Sequence, residues 1–223
     1  MTNIHHRIPD TVQEKETTMT FDPTLPDTLT PEIAQLRTPS WPHDRILHAW
    51  WVQPGRLLAG QYPGALDPVH SARKREVLLD AGVDSIVDLT EVGERGRGGT
   101  RLIPYHELLC ADAEPRGLTL PRHSRHPIPD TKVIEDDGYD RILGYIRAEL
   151  EAGRVVYVHC WGGKGRTGTV IGAWLIDTEG LDYESTLRRL QELRRGTCEA
   201  GHRVPDTDVQ RDVLRRRAAR GRA

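Results

Sequence analysis

The chain has 223 residues, enough to bury one sizeable core and too few for two full domains with linkers. Its 31 Lys and Arg against 33 Asp and Glu leave a formal charge of −2, which argues against a general electrostatic grip on nucleic acid. Three cysteines, Cys110, Cys160 and Cys198, make no disulfide framework, and no stretch approaches the roughly 18 apolar residues of a membrane span. The expectation is a reduced, cytoplasmic protein without stable membrane insertion.

Residues 1–40 are polar and broken by Pro9, Pro23, Pro26, Pro31 and Pro39, so they read as a flexible arm, with a docking segment as the alternative. The folded domain is expected over residues 41–220, with order beginning within Trp41–Trp51. Arg56–Ala59 reads as a short strand entering the Tyr62-Pro63-Gly64 turn. A helix follows, capped by Asp67 with Pro68 at its first position, with Val69, Ala72, Val77 and Leu78 on one side and Gly82 as its stop. Asp84–Leu89 reads as a strand feeding a charged surface loop through Glu91, Gly93, Gly96, Gly98 and Gly99. Four prolines between Cys110 and Asp130 predict mostly loop. Tyr139, Ile142, Leu143, Ile146 and Leu150 recur at helical spacing up to Gly153. Val155–Val158 is wholly apolar, as expected of a strand buried on both faces of a parallel sheet. Helices are predicted over Thr167–Thr178, Asp182–Arg195 and Asp206–Ala219. Strands alternating with helices make this an α/β fold, a single domain with a mainly parallel central β-sheet flanked by helices.

Directly after the apolar strand stands His159-Cys160-Trp161-Gly162-Gly163-Lys164-Gly165-Arg166-Thr167-Gly168, and then a helical run. Strand, glycine-rich turn and helix form an anion site: successive backbone N–H groups curl around one centre, and the helix points its positive end there. At one end of the loop sits the Cys160 thiol, whose thiolate form those donors favour. At the other is Arg166, whose planar fork grips two phosphoryl oxygens together. Cys110 and Arg116 stand at the same spacing as Cys160 and Arg166, but Ala-Asp-Ala-Glu-Pro between them offers no glycine, loses a donor at Pro115 and adds two carboxylates. Cys110 therefore reads as structural.

His159 through Gly168 resembles the phosphate-binding loop of the protein tyrosine phosphatase superfamily, in its small dual-specificity branch, and a looser likeness extends from about Trp50 to Val213. The resemblance implies the cysteine-phosphatase fold, Cys160 as nucleophile, Arg166 and the loop Trp161, Gly162, Gly163, Lys164 and Gly165 around the phosphate, and Thr167 assisting release of the phosphorylated thiolate. It implies an acid on a loop about 30 positions upstream. His126-Pro127-Ile128-Pro129-Asp130 stands there, so Asp130 is the expected acid, with Asp136 and Asp137 read as helix caps. His159 is expected to order the loop. Pro205 to Gln210 is similar to the segment by which larger phosphatases position the hydrolytic water; only Gln210 carries over, and Asp206 reads more strongly as a helix cap.

The implied activity is hydrolysis of phosphotyrosine, and of phosphoserine or phosphothreonine, through a phosphocysteine, on a phosphorylated protein or peptide. The scheme needs no metal and no cofactor, since fixed N–H groups and Arg166 supply the positive field. A phosphoinositide phosphatase is the nearest alternative. Lys164 in the loop favours it, and Trp161, where the lipid enzymes often carry a second Lys, opposes it. A rhodanese-type sulfur transferase and a catalytically silent phosphate-recognition module are the others. Trp161 is left open between core packing and an aromatic wall for a phenyl ring, Lys164 between a solvated rim and attraction to multiply phosphorylated substrates. His126 is a candidate substrate contact, and the arginines from Arg211 to Arg222 read as a solvated helix end.

Overall fold

The computed structural model describes residues 41–220; the arm expected over residues 1–40 lies outside them. Five strands, β1 (Ala49–Gln53), β2 (Leu57–Gly60), β3 (Ser85–Asp88), β4 (Arg122–Arg125) and β5 (Val156–His159), form one sheet in the order β1-β2-β5-β3-β4. Only β1 runs antiparallel, against β2; the other pairings are parallel. Six α-helices cover the sheet: α1 (Pro68–Asp80), α2 (His106–Ala113), α3 (Asp136–Glu151), α4 (Gly165–Glu179), α5 (Tyr183–Leu193) and α6 (Asp208–Arg220). None of these helices is long and apolar enough to cross a membrane.

The apolar run in β5 has the burial that its composition demands. Val156 and Val158 join the core beneath α3 to α6, while Tyr157, pointing the other way, joins the core beneath α1 and α2. β2 divides likewise, Leu57 and Ala59 on one face and Leu58 on the other. Register aligns the ends that carry chemistry: Gly60 of β2 and Asp88 of β3 both sit opposite His159. The segments leaving β2, β3 and β5 therefore emerge side by side at the carboxyl edge of the sheet, where parallel α/β folds place their ligand sites.

Local sequence explains most element ends. Asp67 caps α1 by accepting from Val69 N at 2.9 Å, with Pro68 at the first helical position, and Asp182 caps α5 by accepting from Ser185 N at 2.7 Å. Some expectations are corrected. Val69 and Ala72 are exposed; the buried side of α1 carries Ser71, Lys74 and Arg75 with Val77, Leu78 and Leu79. Its charged heads are satisfied locally, Arg75 Nε donating to Asp112 Oδ2 at 2.6 Å and Lys74 Nζ to Tyr62 O at 3.2 Å, so the alkyl stems pack as apolar surface. The region expected to be mostly loop holds the end of α2, which carries Cys110, and all of β4. Asp206 does not cap α6. Thr207 does: its hydroxyl accepts from Gln210 N at 3.4 Å, while Gln210 Oε1 accepts from Thr207 N at 3.1 Å, a reciprocal capping box. Asp136 and Asp137 occupy the first turn of α3 behind Glu135 as N-cap, where their charge favours the helix pole.

Candidate active site

The chain leaves β5 at His159, turns through Cys160 to Lys164 and enters α4 at Gly165. Lys164 occupies the N-cap position without a side-chain cap, so the first-turn N–H groups of α4 have no partner within the helix. Gly163 is obligatory. Its φ is +69°, and a Cβ there would lie 2.6 Å from Gly60 C and 2.7 Å from Gln61 N, so the loop closes only by pressing bare backbone against the end of β2.

A cavity of about 320 Å³ opens over this loop, lined by Cys160, Trp161, Gly162, Lys164, Gly165 and Arg166. Asp130 and Thr131 form another wall, and Gln210, Asp206 and Glu199 complete the rim. Cys160 is buried and Arg166 almost wholly so. Asp130 is 55% exposed and sets Oδ1 3.0 Å from Arg166 Nη2, so the expected acid already faces the expected phosphate clamp. Its loop hangs from β3 and β4 by His126 N donating to Asp88 O at 2.8 Å and Ile128 N donating to Leu89 O at 3.1 Å. The rivals lie elsewhere, Asp137 paired with Arg141 and Asp136 with Arg220.

Arg166 meets a second carboxylate that the sequence reading left in a surface loop. Glu94 accepts from Nη1 at 2.6 Å and Nη2 at 2.7 Å, while Ile128 O accepts from Nη1 at 3.1 Å. Burial works against the guanidinium charge, but Glu94, Cys160 and Asp130 outweigh it and hold Arg166 above the ordinary arginine value. Gly96 of the same loop lies under Trp161; a Cβ at Gly96 would meet the indole Nε1 at 2.7 Å. Trp161 thus packs against this loop and also lines the cavity.

His159 is fully buried, Tyr105 O–H donating to its Nε2 at 2.6 Å and its Nδ1–H donating to Cys160 O at 3.2 Å. Burial holds this imidazole below its usual value, so it is neutral near pH 7 and braces the backbone at the nucleophile. Behind it, Asp88 is buried among donors: Thr90 N and Oγ1, His123 Nε2 and the Arg125 guanidinium. Burial opposes that charge, yet His159, His123 and Thr90 hold the carboxyl far below its ordinary range. Neither Tyr105 nor Asp88 was singled out from sequence.

Three other expectations shift. Thr167 is fully buried and its hydroxyl reaches Gly60 O at 3.4 Å, outside the cavity lining. Lys164 donates to Glu199 Oε2 at 2.9 Å, so its charge is already matched and is not a free rim cation. His126 bonds Ser124 Oγ at 2.9 Å and packs on Tyr145, away from the cavity. Cys110 sits in α2, its thiol pushed up by burial, while Arg116 pairs with Asp80 at 2.6 Å; the two form no anion loop. Gln210 lies against Gly165, in the lining and in the α6 cap at once.

Residues 63–180, just over half of the chain, match the family described as Tc-R-P: Polymorphic toxin system, DSP-PTPase phosphatase. The chain belongs to this family. Among curated relatives, the chain is 29% identical over 167 residues to the triple specificity protein phosphatase PtpB of Mycobacterium tuberculosis, an alignment covering 60% of this chain and 59% of that one. It is 42% identical over 48 residues to an uncharacterised protein of Methanocaldococcus jannaschii, covering 22% and 33% of the two chains. The chain thus spans about three fifths of PtpB and a third of the archaeal protein. Among solved structures, Tk-PTP in the active form superposes with a TM-score of 0.56 at 27% identity, over 77% of this chain and 97% of that one. Kinase associated phosphatase superposes at 0.58 with 20% identity, over 84% and 98%, a likeness of fold.

Proposed function

We propose that this DSP-PTPase hydrolyses phosphotyrosine in a protein or peptide, together with phosphoserine or phosphothreonine, through a phosphocysteine. The observation that carries the reading is that Cys160 and Arg166 of one loop and Asp130 of another, 30 positions upstream, line one cavity, with Asp130 3.0 Å from Arg166. The Cys160 thiolate attacks phosphorus in line while Arg166 and the loop N–H groups hold the equatorial oxygens. The P–O bond to the alcohol or phenol breaks, and protonated Asp130 gives its proton to the departing oxygen. Water then attacks the phosphocysteine, Asp130 takes a proton from it, and the S–P bond breaks to release phosphate and regenerate the thiolate. To Gln210, in the cavity wall, we assign the holding of that water. His159 and Thr167 act on the loop rather than on the substrate, Thr167 reaching it through Gly60.

The pairing of Lys164 with Glu199 favours one phosphate over several, since the cation a second phosphate would seek is already matched. A cytoplasmic setting follows from the thiolate, which an oxidising compartment would inactivate. The test compares phosphate release from a phosphotyrosine peptide and from phosphoinositide vesicles. The expected result is vanadate-sensitive turnover of the peptide, lost in Cys160→Ser and reduced about 10²- to 10⁴-fold in Asp130→Ala. Substantial turnover in Cys160→Ser would remove the covalent scheme, and a hundredfold preference for the lipid would reassign the substrate.

A further inference from the structure

Beside Glu199 in the chain, the segment after α5 meets the turn before β1. Asp44 and His48, both buried, come from the turn, and Cys198, exposed, from the segment, 154 positions after Asp44. Among the described residues this is the single cluster in which three such side chains offer one ligand atom each within 4.8 Å of one another. His48 Nδ1 lies 2.7 Å from Asp44 Oδ1 and 3.8 Å from Cys198 Sγ.

We propose that Asp44, His48 and Cys198 bind a thiophilic divalent cation of the zinc class, with water in the fourth position. Thiolate, imidazole and carboxylate are the donors such an ion takes, and no hard-cation site would use the sulfur. Tetrahedral zinc at ordinary bond lengths separates nitrogen from sulfur by about 3.5 Å and nitrogen from carboxylate oxygen by about 3.3 Å. The sulfur is already close to its place relative to His48, and the His48–Asp44 contact must open by about 0.6 Å. Asp44 is aimed for the task. Its Oδ2 accepts from the backbone N–H of Cys198 at 2.5 Å, which orients the carboxylate and leaves Oδ1 toward the cluster. Exposure of Cys198 gives the ion a path in.

The surrounding charges are compatible. The Arg194 guanidinium lies nearby but donates to Glu199 O and His202 O and stacks over the Trp50 ring at 5.4 Å, so its charge is spent on the hairpin that presents Cys198. Glu199 offsets it. Binding forms metal–S, metal–N and metal–O bonds and releases one proton, from the thiol; the imidazole proton moves from Nδ1 to Nε2. The consequence reaches the cavity, because Cys198 precedes Glu199, the residue that holds Lys164. The ion would fix the corner from which that ion pair is made, outside the reaction itself.

The test uses the full chain carrying Cys110→Ser and Cys160→Ser, so that Cys198 is the sole thiol, titrated with cobalt(II) and then zinc(II). A near-ultraviolet thiolate-to-cobalt band saturating at one equivalent and displaced by zinc is expected. Cys198→Ser abolishes it, and His48→Gln or Asp44→Asn weakens affinity by at least about tenfold. No band, or an affinity indifferent to both His48→Gln and Asp44→Asn, overturns the proposal. A second measurement uses the unaltered chain and needs no buried variant: alkylation of Cys198 by iodoacetamide should slow severalfold with zinc and not with magnesium, and equal rates overturn it.

Discussion

Arg166 stands between two carboxylates of different standing. Glu94 is almost wholly buried and holds both terminal nitrogens, whereas Asp130 is more than half exposed and touches one. The first fixes the guanidinium plane; in the proposed reaction the second gives way as phosphate enters. Removing Glu94 strands a buried cation, so Glu94→Ala is expected to cost about 3 kcal/mol of stability, read as a lower denaturant midpoint at unchanged slope, with Glu94→Gln recovering part of it. An unchanged midpoint would show that Arg166 is held by other means. Cys160 and Arg166 were legible in the sequence because five intervening residues and their glycines encode the loop locally. Glu94 was not, since the partnership spans 72 positions and is made by tertiary structure alone. Tyr105 and Asp88 were hidden for the same reason: each reaches His159 across tens of residues and carries no pattern of its own.

Elements whose ends carry local chemistry were readable, and those defined by their neighbours were not. Asp67 before Pro68, the apolar β5 and the spacing in α3 announce themselves. β4 reads Arg-His-Ser-Arg, polar throughout, and is a strand only because it lies at the sheet edge and pairs with β3. α2 escaped because the prolines that follow it dominated the reading. Gln210 belongs to the capping box of α6 and also lines the cavity, and two variants separate the cap from the role proposed for it on water. Thr207→Ala should cost about 1 kcal/mol of stability and leave turnover nearly unchanged. Gln210→Ala should cost a similar amount and also slow hydrolysis of the phosphocysteine, seen as a burst of released phenol before the steady state. Identical kinetics in the two variants would leave Gln210 a cap only.

Across the whole molecule, buried ionisable groups set the response to acid. His159 and His48 are held below their ordinary imidazole values by burial, so the folded state resists their protonation; the stability they represent is full above about pH 6.5 and drains as pH falls below it. Asp88 is a depressed carboxyl, so its contribution is full above about pH 4 and is lost at lower pH. Melting temperature should therefore fall in two stages as pH drops below 7, and Asp88→Asn should flatten the second at the expense of a lower plateau. A single-stage fall would place the acid sensitivity elsewhere. The strand order has its own consequence for how the proposed activity fails. β5, which delivers Cys160, is flanked by parallel neighbours on both sides, while the loop of Asp130 follows β4 at the rim. Rim strands open at lower free energy than central ones. Gentle denaturant should thus silence proton donation before it silences attack: esters of acidic phenols, whose oxygen departs unaided, should still be cleaved at concentrations where alkyl esters no longer are.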